Sequence, residues 1–186
     1  MLNISTKFYT PHPISVVAYQ KMAETGILSF DARVELIEGE IIDMAPIGSK
    51  HASYVNRLNR TLVRAVGDAA LVSVQNPIIL GDLSEPEPDF ALLKAKDNDY
   101  EDLLPSAEDI LLLIEISDTT VNYDMKIKAP LYARFHIPEF WLINIQKMSV
   151  TIYQKPMQGL YTVVNTHRLP TKVPPLLLPN SQLELR

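Results

Sequence analysis

The sequence predicts an α/β fold, a central mixed β-sheet flanked by helices. Strand-length apolar runs alternate with amphipathic helical stretches, and a two-residue turn marks an antiparallel hairpin. A third run, Ile110 to Ser117, is so continuously apolar that it belongs in the middle of a sheet covered on both faces. Residues 1–186 are expected to form one domain, because this length supports one core and is short for two.

Taken in order, Ser15 is placed to cap a helix that runs to Glu24, with Gly26 just past its end. Val34–Ile37 and Glu40–Met44 are β-prone runs on either side of Glu38-Gly39, where glycine can supply positive φ. Lys50 to Val66 has the strongest helical period. At about 100° per residue, Val55, Leu58, Leu62, Ala65 and Val66 fall in one sector, and Lys50, Arg57, Arg60 and Arg64 gather on the other side. Val72–Leu80, Pro88–Leu93 and Ile110–Ser117 read as strands, and Asn122–Phe135 as a second helix. Pro130 argues for a helix start nearer Lys128 than Asn122, because an interior proline costs about 3 kcal/mol. Phe140–Ile145, Val150–Tyr153 and Leu160–Val164 read as further strands, and the proline- and leucine-rich Pro170–Pro179 tail as an extended edge segment.

Composition narrows the function classes. Hydrophobic residues at 47% and charged residues at 21% predict a chain folded throughout. With no cysteine, disulfides, thiolate nucleophiles and sulfur-based zinc sites are excluded. Met1 to Tyr9 lacks a signal-peptide pattern and no apolar run reaches membrane length, so a soluble cytoplasmic protein is expected. A net charge of −5 argues against nucleic acid unless a basic patch is local. Phosphate-binding glycine loops, dinucleotide fingerprints, nucleophile elbows and paired-histidine metalloprotease motifs are missing, which disfavours NTPases and serine hydrolases.

Three ionisable residues stand where an inert fold would place apolar ones. Glu115 lies inside Ile-Leu-Leu-Leu-Ile-Glu-Ile and must be desolvated, so either a metal or a cation has to compensate it. Asp89 opens the preceding strand, and consecutive strands often pair, which would bring two carboxylates face to face; the plain alternative is an exposed strand-initiating Asp. Hard divalent ions such as Mg²⁺ accept such a pair together with water and phosphate oxygens. Lys128 shares a helical sector with Leu131, Tyr132 and Phe135, with Asp124 nearby, and Lys126 points the opposite way. An inward ammonium needs an anion, although snorkelling along the helix edge is the ordinary alternative. His51 sits on the apolar side of its helix and is either a ligand or phosphate contact, or a core histidine bonded to backbone. The stripe Lys50, Arg57, Arg60 and Arg64 either tracks a phosphate backbone or is simply a solvated face.

The ordered segments Glu35-Leu-Ile-Glu-Gly-Glu40, His51, Pro88-Asp89, Leu113-Ile-Glu-Ile-Ser117, Asp124 to Lys128 and Pro138-Glu-Phe-Trp-Leu-Ile143 resemble the Uma-two family of putative restriction endonucleases, a branch of the PD-(D/E)XK nuclease superfamily. The likeness runs from about Ser15 to Tyr153. It implies a restriction-endonuclease-like core in which Asp89 and Glu115 bind Mg²⁺ or Mn²⁺ and Lys128 completes the catalytic site. In the wider superfamily that lysine follows the Glu by two residues; Ser117 occupies the place here, and Lys128 on the next helix matches instead. Glu35 and His51 match family positions as accessory residues, and the Glu38-Gly39-Glu40 turn is read as structural. The implied activity is metal-dependent hydrolysis of DNA, with a nuclease fold kept for binding or assembly as the alternative. A homodimer formed through the apolar strand around Trp141 is the expected assembly.

Overall fold

The computed structural model describes residues 11–29 and 31–186, so the Met1–Tyr9 reading lies outside them. Helix α1 (Val16–Glu24) is capped as expected, with Ser15 Oγ accepting from the Ala18 amide at 3.2 Å. Strands β1 (Val34–Ile37) and β2 (Glu40–Asp43) form the predicted antiparallel hairpin. Its two turn residues, Glu38 at φ 49° and Gly39 at φ 82°, are both left-handed, the combination that matches strand twist. Gly39 is doubly constrained, because a Cβ there would lie 2.5 Å from Pro13 Cβ.

Helix α2 (Ser49–Val66) buries Tyr54, Val55, Leu58, Leu62 and Val66, which reproduces the sector set by its period. The following strand is shorter than predicted. Strand β3 (Leu71–Val74) stops at Gln75, whose left-handed φ of 51° ends the extended run; Pro77 then lacks the N–H a ladder needs. Strand β4 (Phe90–Leu93) likewise starts two residues later than Pro88, leaving Asp89 just outside it.

Strand β5 (Ile110–Ser117) spans its predicted limits and lies mid-sheet, antiparallel to β4 and parallel to β6 (Glu139–Asn144). With β7 (Ser149–Met157) and β8 (Leu160–Arg168) the six-stranded order is β3-β4-β5-β6-β7-β8. Side chains alternate across this sheet, so Leu112, Ile114 and Ile116 pack with α2, and Leu113 faces the opposite core with Leu131, Tyr132 and Phe140.

The parallel β5–β6 pair needs a crossover, and the second helix supplies it. This helix begins at Val121, not near Lys128: one α turn, α3 (Val121–Tyr123), opens into a π turn over Asp124–Lys128 and closes as α4 (Ala129–Arg134). In the wide turn the Ala129 amide reaches back five residues to the Asp124 carbonyl. Pro130 has no amide to contribute and its ring crowds the carbonyl four residues earlier, so a widened turn before it keeps the helix continuous.

The tail does not border the main sheet. Strands β9 (Thr171–Val173) and β10 (Leu183–Leu185) pair with each other, and Val173, Leu183 and Leu185 bury on the α2 side. The tail is held by Glu139, which is buried and accepts from Trp141 Nε1 at 2.8 Å, Gln154 Nε2 at 2.7 Å and the Leu176 amide at 2.6 Å. Glu139→Ala would leave these donors unpaired. Only Trp141 Nε1 is fully buried among them, so at roughly 1–3 kcal/mol for a buried unpaired group a loss of about 2 kcal/mol is expected, seen as a lower urea midpoint at unchanged slope. The same geometry corrects the expected place of a dimer contact: Trp141 is 0% exposed on a strand bracketed by β5 and β7, so that residue offers a partner no surface. Among the described residues no helix is long and apolar enough to cross a membrane.

Candidate active site

Asp89 and Glu115 meet because antiparallel β4 and β5 pair Phe90 with Ile114, which puts Asp89, just before Phe90, beside Glu115, just after Ile114. The Ile116 amide donates to Asp89 Oδ2 at 2.8 Å, and the Asp89 amide faces Glu115 Oε2 at 3.4 Å. Asp89 is fixed from two further directions, by His51 Nε2 at 3.0 Å from Oδ2 and by Gln75 Nε2 at 3.1 Å from Oδ1. His51 is therefore bonded to a carboxylate; its side-chain bond to Asp89 raises its pKa against the opposing effect of burial.

The crossover helix brings the cation. Lys128 is 4% exposed and its Nζ lies 2.9 Å from Glu115 Oε1 and 3.1 Å from Glu35 Oε2. Lys126, two residues earlier, is exposed, as the helical phase predicts. Tyr132, one turn on from Lys128, donates its hydroxyl to the same Glu115 oxygen at 2.8 Å. Glu35 arrives on β1, held by the Tyr123 hydroxyl at 3.0 Å and the Glu87 amide at 3.3 Å. Asp124 is buried beside them and accepts from Thr120 Oγ1 at 3.0 Å, which in turn contacts Ser117 Oγ at 3.1 Å.

One ammonium is thus shared among several carboxylates. Burial pushes Glu115 up to about 8; Lys128 opposes the rise, and Asp124, Asp89 and Glu35 add to it. Burial works against the Lys128 charge, but Glu115, Glu35 and Asp124 outweigh it and hold the ammonium above its ordinary pKa. Asp124 is also raised, first by burial. Lys128 therefore stays charged, while burial, with the neighbouring acids adding to it, makes Glu115 retain its proton near neutrality.

These groups line a cavity of about 540 Å³. Its walls carry seven acidic side chains, Glu35, Asp43, Glu87, Asp89, Glu115, Asp118 and Asp124, against the basic side chains of Arg33, His51 and Lys128. Among the described residues no three acidic, histidine or cysteine side chains already converge as a closed metal cage. An open site is a different matter, since Mg²⁺ needs one or two carboxylates and takes its other oxygens from water and substrate. The adjacent Asp89 and Glu115, in a cavity with excess negative charge, fit that requirement.

Asp89, Glu115, Lys128, Glu35, His51 and Asp124 all reach this cavity. Lys50, Arg57, Arg60 and Arg64 do not; they are exposed along α2. Gln75, Tyr123 and Tyr132 were not legible as site residues. Both tyrosines belong to the helix of Lys128, so its inward sector was the available signal; Gln75 depends on a left-handed turn that no local pattern announces.

A six-stranded mixed sheet with paired carboxylates at the ends of β4 and β5, and a helical crossover between β5 and β6, defines a restriction-endonuclease-like α/β core. The Uma2 family model, described as "Putative restriction endonuclease", matches residues 18–186, and the chain belongs to that family. Its fold is similar to a crystal structure described as "a putative nuclease belonging to DUF820" from Anabaena variabilis ATCC 29413. The TM-score is 0.71 at 20% identity, covering 93% of this chain and 96% of that one. No curated protein matches significantly.

Proposed function

We propose that this chain is an endonuclease that hydrolyses DNA phosphodiester bonds with Mg²⁺ or Mn²⁺, which Asp89 and Glu115 would hold. The observation that carries this reading is a buried ammonium, Lys128 Nζ, 2.9 Å from Glu115 in an acidic cavity where Asp89 is fixed by three donors. A bound divalent ion there supplies Lewis acidity and lowers the pKa of water. The chain's own groups do the rest. His51, Gln75 and the Ile116 amide orient Asp89; Tyr132 and Lys128 both engage Glu115 Oε1, which leaves Oε2 as its less occupied oxygen. Lys128 carries positive charge beside the point where a phosphoryl oxygen gains negative charge. A cysteine-free chain suits work in the reducing cytoplasm.

Asp89→Ala is the direct test. Metal-dependent cleavage of supercoiled DNA should fall by at least 100-fold, about 2.7 kcal/mol of barrier, while circular dichroism reports an unchanged fold. Full activity in that variant would sink the assignment. A specific observation favours a second reading, a nuclease fold used only for binding: Asp89 and Glu115 already have internal partners in His51 and Lys128. Calorimetry with Mn²⁺ separates the two, because an inert scaffold would release no heat that depends on Asp89 and Glu115.

A further inference from the structure

We propose that the outer face of α2, from Lys50 to Arg64 and walled by the end of β10, is a phosphate track for the backbone of the nucleic acid cleaved in the carboxylate cavity; its choice of partner rests on the nuclease reading above. Four of the chain's seven arginines, Arg57, Arg60, Arg64 and Arg186, line one cavity of about 430 Å³ in a protein of net charge −5. The single acidic side chain there is Glu184, which binds Arg186 through Nη2 at 2.8 Å and Nε at 2.9 Å. Among the described residues Arg57, Arg60 and Arg64 have no carboxylate partner, so three like charges are held together uncompensated. The spacing of 57, 60 and 64 is one helix face.

The cavity wall is also preorganised. The Arg57 guanidinium lies over the Tyr54 ring at 4.7 Å from its centroid, which restricts where this charge can sit. Tyr54 is 4% exposed and lines the same cavity, a rigid wall beneath the arginine; its hydroxyl is buried from solvent. Guanidinium groups carry donors and no acceptor, so a cluster of them is the complement of a phosphate.

Continuity favours a polymer over a free anion. Tyr54 and Arg57 also line a neighbouring hollow that includes Ser49 and Lys50, and those two residues stand between Gly48 and His51 of the carboxylate cavity. The basic face therefore leads to the mouth of the reaction cavity. From Lys50 to Arg64 it covers about 21 Å at about 1.5 Å per residue. That is the rise of about six nucleotides along one strand at about 3.4 Å each.

The test is binding of a short fluorescently labelled DNA duplex to the full chain in EDTA, so that cleavage plays no part, read by anisotropy across a range of KCl. Arg60→Ala combined with Arg64→Ala should weaken binding at every salt concentration and lower the slope of log K against log[KCl] by about 1.8, two contacts at about 0.9 each. Removing two exposed charges elsewhere, Lys21→Ala with Lys155→Ala, should leave the slope in place. An unchanged slope in the arginine pair, an equal loss in the lysine pair, or competition by inorganic phosphate without any effect of the arginines on duplex binding overturns the track. Cleavage measured separately with Mn²⁺ keeps the two ideas apart. A lowered slope without cleavage removes the nuclease reading alone, and cleavage with an unaltered slope removes the track alone.

Discussion

Replacing Lys128 with methionine is expected to cost about 3–5 kcal/mol of stability, the range for removing one partner of a buried ion pair, and to abolish metal-dependent cleavage. Methionine preserves most of the volume, so the loss reports charge and not a cavity. The ammonium is within 3.1 Å of both Glu35 and Glu115, and Asp124 adds to the negative potential at the same place. Without it these carboxylates face each other in a site from which water is largely removed, and Glu115 would take up a proton still more readily. Urea unfolding measures the stability term, and a plasmid-nicking assay measures activity. A change below about 1 kcal/mol would mean that the pair behaves as a surface ion pair and that the buried geometry is wrong.

Glu115→Gln separates charge from shape and should give the opposite stability result. The amide oxygen can still accept from Lys128 and Tyr132 where Glu115 Oε1 does now, and the amide nitrogen would face the Asp89 amide only at the long 3.4 Å separation. The fold should survive within about 1–2 kcal/mol near pH 7, while cleavage is lost with the carboxylate. The decisive readout is pH. Glu115 has a folded pKa of about 8 against an ordinary 4.5, so the folded state binds its proton more tightly than the unfolded chain does. The stability that proton binding contributes is fully present below about 4.5 and is lost as pH rises through 8. His51, also raised, contributes in the same direction from its own ordinary value of 6.5, so the parent curve alone is ambiguous. The difference between parent and Glu115→Gln cancels His51. That difference should slope downward between pH 4.5 and 8; a flat difference curve refutes the raised pKa.

The parts of the fold legible in the sequence were those with a single dominant cause. The α2 period, the Ser15 cap, the Glu38-Gly39 turn and the apolar β5 run each follow from local chemistry, and each element lies within a residue or two of its expected limits. What escaped depended on contacts between distant segments. β3 ends early because Gln75 turns left-handed, and the Pro170–Pro179 tail leaves the sheet to pair within itself, anchored by Glu139 from a motif whose local signal was only Pro-Glu-x-Trp. In the site, Asp89, Glu115 and Lys128 were legible because a charge on an apolar strand or helix face is locally anomalous. Gln75, Tyr123 and Tyr132 are neutral groups that sit without conflict in a buried or half-buried pattern, so only their partners reveal them.

The π turn at Asp124–Lys128 has a consequence for finding such sites by motif. A helix that absorbs one surplus residue in a widened loop of backbone keeps its inward side chains aimed as before, so what the architecture preserves is the lysine's direction and not its distance along the chain from Glu115. A template with a fixed Glu-to-Lys interval would pass over a chain whose wide turn had been gained or closed. The orientation of the ammonium relative to the strand ends is the sounder criterion.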